Sequence, residues 1–228
     1  MSIIYTVKRS RKRQKTISLQ VNVNSGLIVS APYFTPAEEI DRFVREKQNW
    51  ISKTLRKHTE DSIKNKAKEY NTGEHFFYLG QSYPLEVFFE PFENAGLVFW
   101  NDCFYLNARE DKDLRKHYFV SWYKKKAYDF INQRVDFFSR MLKFQHENIR
   151  ITSAKSRWGS CSEDNNLAFS FRLIMAPPNI IDYVIVHELS HIKEKNHSPK
   201  FWKRVEEVMP EYRKHRRWLK DNHHKFIL

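Results

Sequence analysis

From Thr16 to Val29 the chain reads TISLQVNVNSGLIV, in which Ile17, Leu19, Val21 and Val23 alternate with polar residues before Asn-Ser-Gly and a second apolar run. A period of two on either side of a turn signal predicts a β-hairpin. Thr35-Pro36-Ala37-Glu38 then has the form of a capping box with proline at the first helical position. Ile40, Phe43, Val44, Trp50, Ile51 and Leu55 follow at helical spacing. Together they predict a helix from about Pro36 to Lys57. The stretch Thr59 to Thr72 is charged and poor in bulky apolar residues, and reads as a spacer or as the helix's frayed tail. From His75 to Asn107, short aromatic runs (FFYLG, YPLEVFFE, GLVFW, CFYLN) are parted by Gly, Pro, Asn and Asp, the pattern of several antiparallel strands.

Beyond Asp111 the period changes. Tyr118, Phe119, Trp122, Tyr128, Ile131, Val135, Phe138 and Leu142 recur every three or four residues and predict one long amphipathic helix to about Phe144. Between Asn148 and Ala176, IRITSA and NNLAFSFRLIM flank the polar segment Lys155 to Asp164, which suggests a second hairpin. Pro177-Pro178-Asn179 ends that strand and opens another helix. The chain is therefore read as α+β, with a β-rich N-terminal region carrying one helix (residues 1–109) and a C-terminal region of helices around a small sheet (residues 110–228). It contains no internal repeat or low-complexity tract.

Composition narrows the class of function. Of 228 residues, 41% are hydrophobic and 15% aromatic, the balance of a chain that folds around a core. No run approaches the roughly 20 apolar residues of a membrane span, and the first ten residues lack the apolar stretch of a signal peptide, so a cytoplasmic protein is expected. Two cysteines, Cys103 and Cys161, are too few to staple a secreted fold and stand in no CxxC spacing, so both are expected to be reduced thiols. Forty basic against 27 acidic residues give a formal charge of +13. Six bases and no acid lie between Lys8 and Lys15, and the chain from Lys200 onward is also basic. A polyanionic partner such as nucleic acid fits this excess, and so does a solvated surface.

The chemistry lies in Ile180 to Lys193, IIDYVIVHELSHIK, where His-Glu-x-x-His falls on a predicted helix. Ile181, Ile185, Leu189 and Ile192 form an apolar stripe, while His187 and His191, four residues apart, lie together on another face. Two imidazoles so placed bring two ring nitrogens to one point, as a tetrahedral ion with bonds of about 2.0–2.1 Å requires. Glu188 points beside that ion, where it can hold a water and take its proton. Zinc needs a third protein ligand, and His197 is the nearest candidate. On an unbroken helix it would sit about 240° around from His191 and roughly 9 Å further along. The chain must turn, and Asn196, Ser198 and Pro199 supply a left-handed residue, a cap and a new helix start. One zinc ion per chain with an open fourth position is the expected cofactor. Phe201, Trp202, Val205 and Val208 are at core spacing and are read as bracing this site, while His215, His223 and His224 are expected to face solvent.

The run Arg157 to Leu219, including RWGSCS, FRLIMAPPNIIDYVIVHELSHIKEKNHSPKFW and RRWL, resembles the YgjP-like metal-dependent hydrolases, more weakly over nearly the whole chain. That family is similar to the SprT-like and WLM-type zinc peptidases, some of which act on proteins bound to DNA. The resemblance implies a zincin-like C-terminal region, metal ligands at His187, His191 and His197, and a catalytic base at Glu188. The histidine spacing agrees with the metzincin pattern, but Glu194 stands where that pattern has glycine, so no metzincin turn is implied. By analogy with zincins, the strand Leu167 to Leu173 is a candidate edge for an extended substrate. Arg157 and Trp158 are candidates for the cleft lining, and Tyr212 and Arg157 for stabilising an oxyanion. The expected activity is zinc-dependent hydrolysis of a peptide or protein. Its rivals are a basic nucleic-acid-associated protein with a structural or regulatory zinc, a protease recruited to DNA, and a hydrolase of another amide. The sequence does not fix an oligomeric state.

Overall fold

The structure is a computed structural model that describes residues 4–22, 26–55, 68–91, 94–226 and 228. The chain divides into two compact units, residues 1–66 and 67–228. In the first, β2 (Ser18–Asn22) and β3 (Gly26–Pro32) pair antiparallel, the hairpin that the alternation predicts, although its turn residues 23–25 lie outside the described residues. An additional strand, β1 (Tyr5–Ser10), pairs parallel to β3 and occupies part of the basic N-terminal stretch. Leu27, Val29 and Ala31, on one face of β3, pack with Ile40, Val44 and Ile51.

Those last three side chains come from α1 (Ala37–Glu46) and from α2, helical over 48–55. The single helix expected to Lys57 is thus interrupted at Lys47, and its end lies outside the described residues, as does most of the expected spacer. The capping box does not form either. Pro36 is the N-cap and no side chain bonds the free amides, while the Thr35 carbonyl accepts from Arg9 Nη1 at 2.7 Å.

The second unit contains both the aromatic strands and everything C-terminal to them. β4 (His75–Tyr78), β5 (Gln81–Phe88), β6 (Gly96–Trp100) and β7 (Cys103–Asn107) form a sheet of order β4-β5-β7-β6. The two outer pairings are antiparallel as expected, but β5 and β7 run parallel, so the sheet is mixed. It packs on α3 (Lys112–Leu142), with Phe76 and Phe119 stacked at 4.1 Å and Phe104 edge-on to Trp122 at 5.1 Å. This shared aromatic core is why the sheet and the helix belong to one unit, despite the change of pattern near Arg109. α3 opens at Asp111, whose carboxylate accepts from the Leu114 amide at 2.8 Å, and closes at Lys143 in the left-handed conformation. Its buried stripe is Phe119, Tyr123, Ala127, Ile131, Val135 and Phe138. Tyr128, assigned to that stripe by spacing, is exposed, and Ala127 takes the inward position.

The segment expected as a second hairpin is built differently. β8 (Ile149–Thr152) pairs parallel to β10 (Leu167–Ser170), and the polar stretch between them supplies β9 (Gly159–Cys161), antiparallel to β10. The order is β8-β10-β9, and Phe171–Met175 forms a 3₁₀ turn in place of a longer strand. β10 is therefore the central strand. The edge assigned to Leu167–Leu173 is corrected, and the outer strand beside the helix of the motif is β9.

α4 (Pro178–Ser190) carries the motif and is buried on most sides, with Ile181, Ile185, Val186 and Leu189 fully enclosed. Each such side chain contributes about 1.5–3 kcal/mol on burial, so the helix is fixed by more than one stripe. Its start is held by the β4–β5 turn, where Leu79 and Gly80 both have positive φ, as a type I′ turn requires. Their amides donate to the Ile174 and Met175 carbonyls at 2.9 and 3.1 Å. A Cβ on Gly80 would lie 2.7 Å from Pro177, so only glycine permits this approach. Midway along α4, Asp182 accepts two parallel bonds from Arg134 of α3 at 2.6 and 2.7 Å. α5 (Pro199–Val208) and α6 (Tyr212–Asn222) close the unit, with a short 3₁₀ turn at His223–Lys225. No helix of the described residues is long and apolar enough to cross a membrane.

Candidate metal centre

α4 ends at Ser190 with His191 as its C-cap, and the chain turns through residues 191–198 before Pro199 opens α5. Ser198 caps that helix, accepting from the Phe201 amide at 3.3 Å. Asn196 does not adopt the left-handed conformation expected of it, so the reversal is made without one. Instead, side chains pin the turn from three directions. His191 Nδ1 lies 2.9 Å from the Glu194 carbonyl, Glu194 reaches Arg204 of α5 at 3.9 Å, and Lys195 Nζ donates to the Ser162 and Glu163 carbonyls and to Asn165 Oδ1 at 2.9, 3.1 and 2.8 Å.

The turn brings His197 back onto α4. One ring nitrogen from each of His187, His191 and His197 lies within 4.8 Å of the others, and the Nε2 atoms of His187 and His197 are 3.0 Å apart. A tetrahedral ion with bonds of about 2.0–2.1 Å keeps its ligand atoms about 3.3 Å apart, so a small relaxation fits the three nitrogens to one. With Nδ1 of His191 donating to a carbonyl, its Nε2 lone pair is directed away from that bond and free to ligate. Phe201 stacks on His191 at 4.5 Å and Trp202 on His197 at 5.5 Å, the bracing expected of α5.

Burial governs the electrostatics. His187 is pushed down to about 3, first by desolvation and then by the charges of His191, His197 and Arg216. His197 is lowered for the same leading reason. Imidazoles held neutral in this way keep their lone pairs for a cation. Glu188 is only 6% exposed and is pushed up to about 8 by desolvation, against the opposing charge of Arg157. Its carboxylate accepts no hydrogen bond among the described residues and lies against β9. A Cβ built on Gly159 would meet Glu188 Cγ at 2.6 Å and Oε1 at 2.7 Å. Gly159 therefore makes the space that the acid occupies. It stands inside the RWGSCS run, where no local spacing marks it as part of the site.

The secondary candidates part ways. Arg157 is exposed two residues before β9, and its charge acts on Glu188. Trp158 is half-buried edge-on to Phe226 at 5.7 Å, a packing role. Tyr212 is buried behind Trp202, stacked on it at 5.2 Å, with its hydroxyl accepting from Arg213 Nε. It braces the aromatic wall. Tyr183, also missed, lies edge-on to His187 at 6.0 Å and is pushed up to about 12 by burial. His215 is not solvent-facing as expected but half-buried against Tyr183, and desolvation lowers it. Cys103 and Cys161 are free, and burial raises the Cys161 thiol.

A buried acid beside three convergent imidazoles, on a helix under a small sheet in an α+β unit, defines the metallopeptidase class. The family model described as YgjP-like, metallopeptidase domain, matches residues 15–222, and the chain belongs to the YgjP-like family. Among solved structures it is similar to the metallopeptidase zymogen of Pyrococcus abyssi abylysin, with 21% identity, a TM-score of 0.37, and 40% of this chain and 93% of that chain covered. No curated protein matches it.

Proposed function

We propose that the chain hydrolyses peptide bonds in a peptide or protein substrate, using one zinc ion held by His187, His191 and His197 and Glu188 as general base. The observation that carries this is the convergence of three imidazoles, of which His187 is largely desolvated, next to a buried carboxyl group that accepts no hydrogen bond among the described residues. Three donors, with no fourth His, Cys, Asp or Glu in the group among the described residues, is the donor count of a catalytic zinc rather than a structural one. When bound, the ion supplies Lewis acidity, lowering the pKa of a coordinated water towards about 7 and polarising the scissile carbonyl. Glu188 takes the proton of the attacking water and delivers it to the leaving nitrogen. The outer strand β9 offers backbone donors and acceptors to an extended substrate, and Arg157 just before it places positive charge on the Glu188 side of the cleft.

Glu188→Gln tests the assignment. Zinc stays bound at one ion per chain while hydrolysis of a fluorogenic peptide library falls to background, and turnover equal to that of the parent protein rejects Glu188 as the base. A second reading, recruitment of the peptidase to nucleic acid, is favoured by the exposed bases Lys8, Arg9, Arg11, Lys12 and Lys15 on and after β1. It predicts salt-dependent DNA binding and faster cleavage with DNA present.

A further inference from the structure

Arg216 carries a charge at the rim of the histidine cluster that no carboxylate of the described residues neutralises. Tyr212, His215, Arg216 and Leu219 share one face of α6, with Tyr212 and Leu219 buried and Arg216 exposed at its edge. The Arg216 guanidinium lies over the Trp202 ring, 5.0 Å from its centroid, and that ring stacks on His197. The adjacent arginines are engaged, Arg213 with Glu206 and Arg217 with Asp221. Three nearby acids are also engaged: Asp182 pairs with Arg134, Glu194 with Arg204, and Glu211 with Lys214. A guanidinium held over an indole by cation–π attraction spends no N–H donor on a carboxylate.

We propose that Arg216 forms a subsite for a carboxylate on the substrate, making acidic peptides the preferred substrates; this rests on the peptidase reading above. The planar fork of arginine matches a carboxylate with two parallel bonds, and the Trp202 ring that carries it stacks on the third ligand, His197. The carboxylate comes from an Asp or Glu side chain or from the substrate's C-terminus.

The test is binding of labelled peptides to the zinc-loaded Glu188→Gln protein, read by fluorescence anisotropy. Peptides are paired as Asp or Glu against Asn or Gln, and as free against amidated C-terminus. The acidic member of one pair binds about tenfold tighter, the worth of one charge-assisted contact. Arg216→Gln brings that ratio to about one, and Arg216→Lys, which keeps the charge without the fork, leaves an intermediate value. The pair that responds identifies the source of the carboxylate. Equal binding of both members in every pair, a ratio unchanged in Arg216→Gln, or no peptide binding at all overturns the subsite. Cleavage by the parent zinc protein is scored separately. A ratio that depends on Arg216 without any cleavage rejects the peptidase reading alone, and cleavage without an acidic preference rejects the subsite alone.

Discussion

Gly159→Ala separates the needs of the fold from those of the reaction. The φ of Gly159 is not positive, so the backbone admits alanine, and filling a glycine position in a strand gains about 0.5–1 kcal/mol. The new Cβ, however, would lie 2.6 Å from Glu188 Cγ, where ordinary contact begins at 3.4 Å, so the acid must retreat by about 0.8 Å. The neighbour that gives way is the Glu188 side chain from Cγ outward, and moving it off its rotamer costs about 0.5–1.5 kcal/mol. These terms nearly cancel, and the melting temperature of the variant stays close to that of the parent. Displacement of a catalytic group by about 1 Å costs on the order of 100-fold in rate. The expected result is therefore a folded protein with one zinc per chain and kcat reduced about 100-fold, measured on a fluorogenic peptide with metal content determined in parallel. Parental kcat in Gly159→Ala would show that Glu188 does not act from its observed position. Loss of zinc or of folding would show that β9 carries structural weight not seen in its contacts.

In the metal-free protein, Glu188 has a folded pKa of about 8 against an ordinary value of 4.5, so the folded state binds the extra proton and stability is lost as pH rises from about 4.5 through 8. Metal-free Glu188→Gln escapes this loss, and its advantage over the parent grows across that window to an upper bound of ~5 kcal/mol. Denaturant melts at several pH values check it, and because His187 destabilises both proteins alike below its ordinary 6.5, the difference between them isolates Glu188. Lys195→Met removes three bonds between the metal-site turn and the β9–β10 turn, and it should weaken zinc binding about tenfold in competition with a chromogenic chelator. Unchanged affinity would mean that the turn is held by Glu194 and Arg204 without it.

Local order is what the sequence by itself determined. The hairpin of β2 and β3, the long α3, the motif helix and the break before Pro199 are all set by residues within a few positions of one another, through side-chain period, proline and caps. The same holds for His187, Glu188 and His191, whose mutual placement is a property of any α-helix, and His197 followed because an unbroken helix could not present it. Tertiary structure decided whatever depends on which distant surfaces meet. Parallel pairing of β5 with β7 and of β8 with β10, and the insertion of β9, leave no local signature, because a strand's partners do not alter its own alternation. The same blindness hid Gly159 and the pairing of Arg134 with Asp182. It also hid the buried environments of Tyr183 and His215 and the stacking of Arg216 on Trp202. Each is a contact between residues far apart in the chain, fixed only when the core closes and excludes water from one side of them.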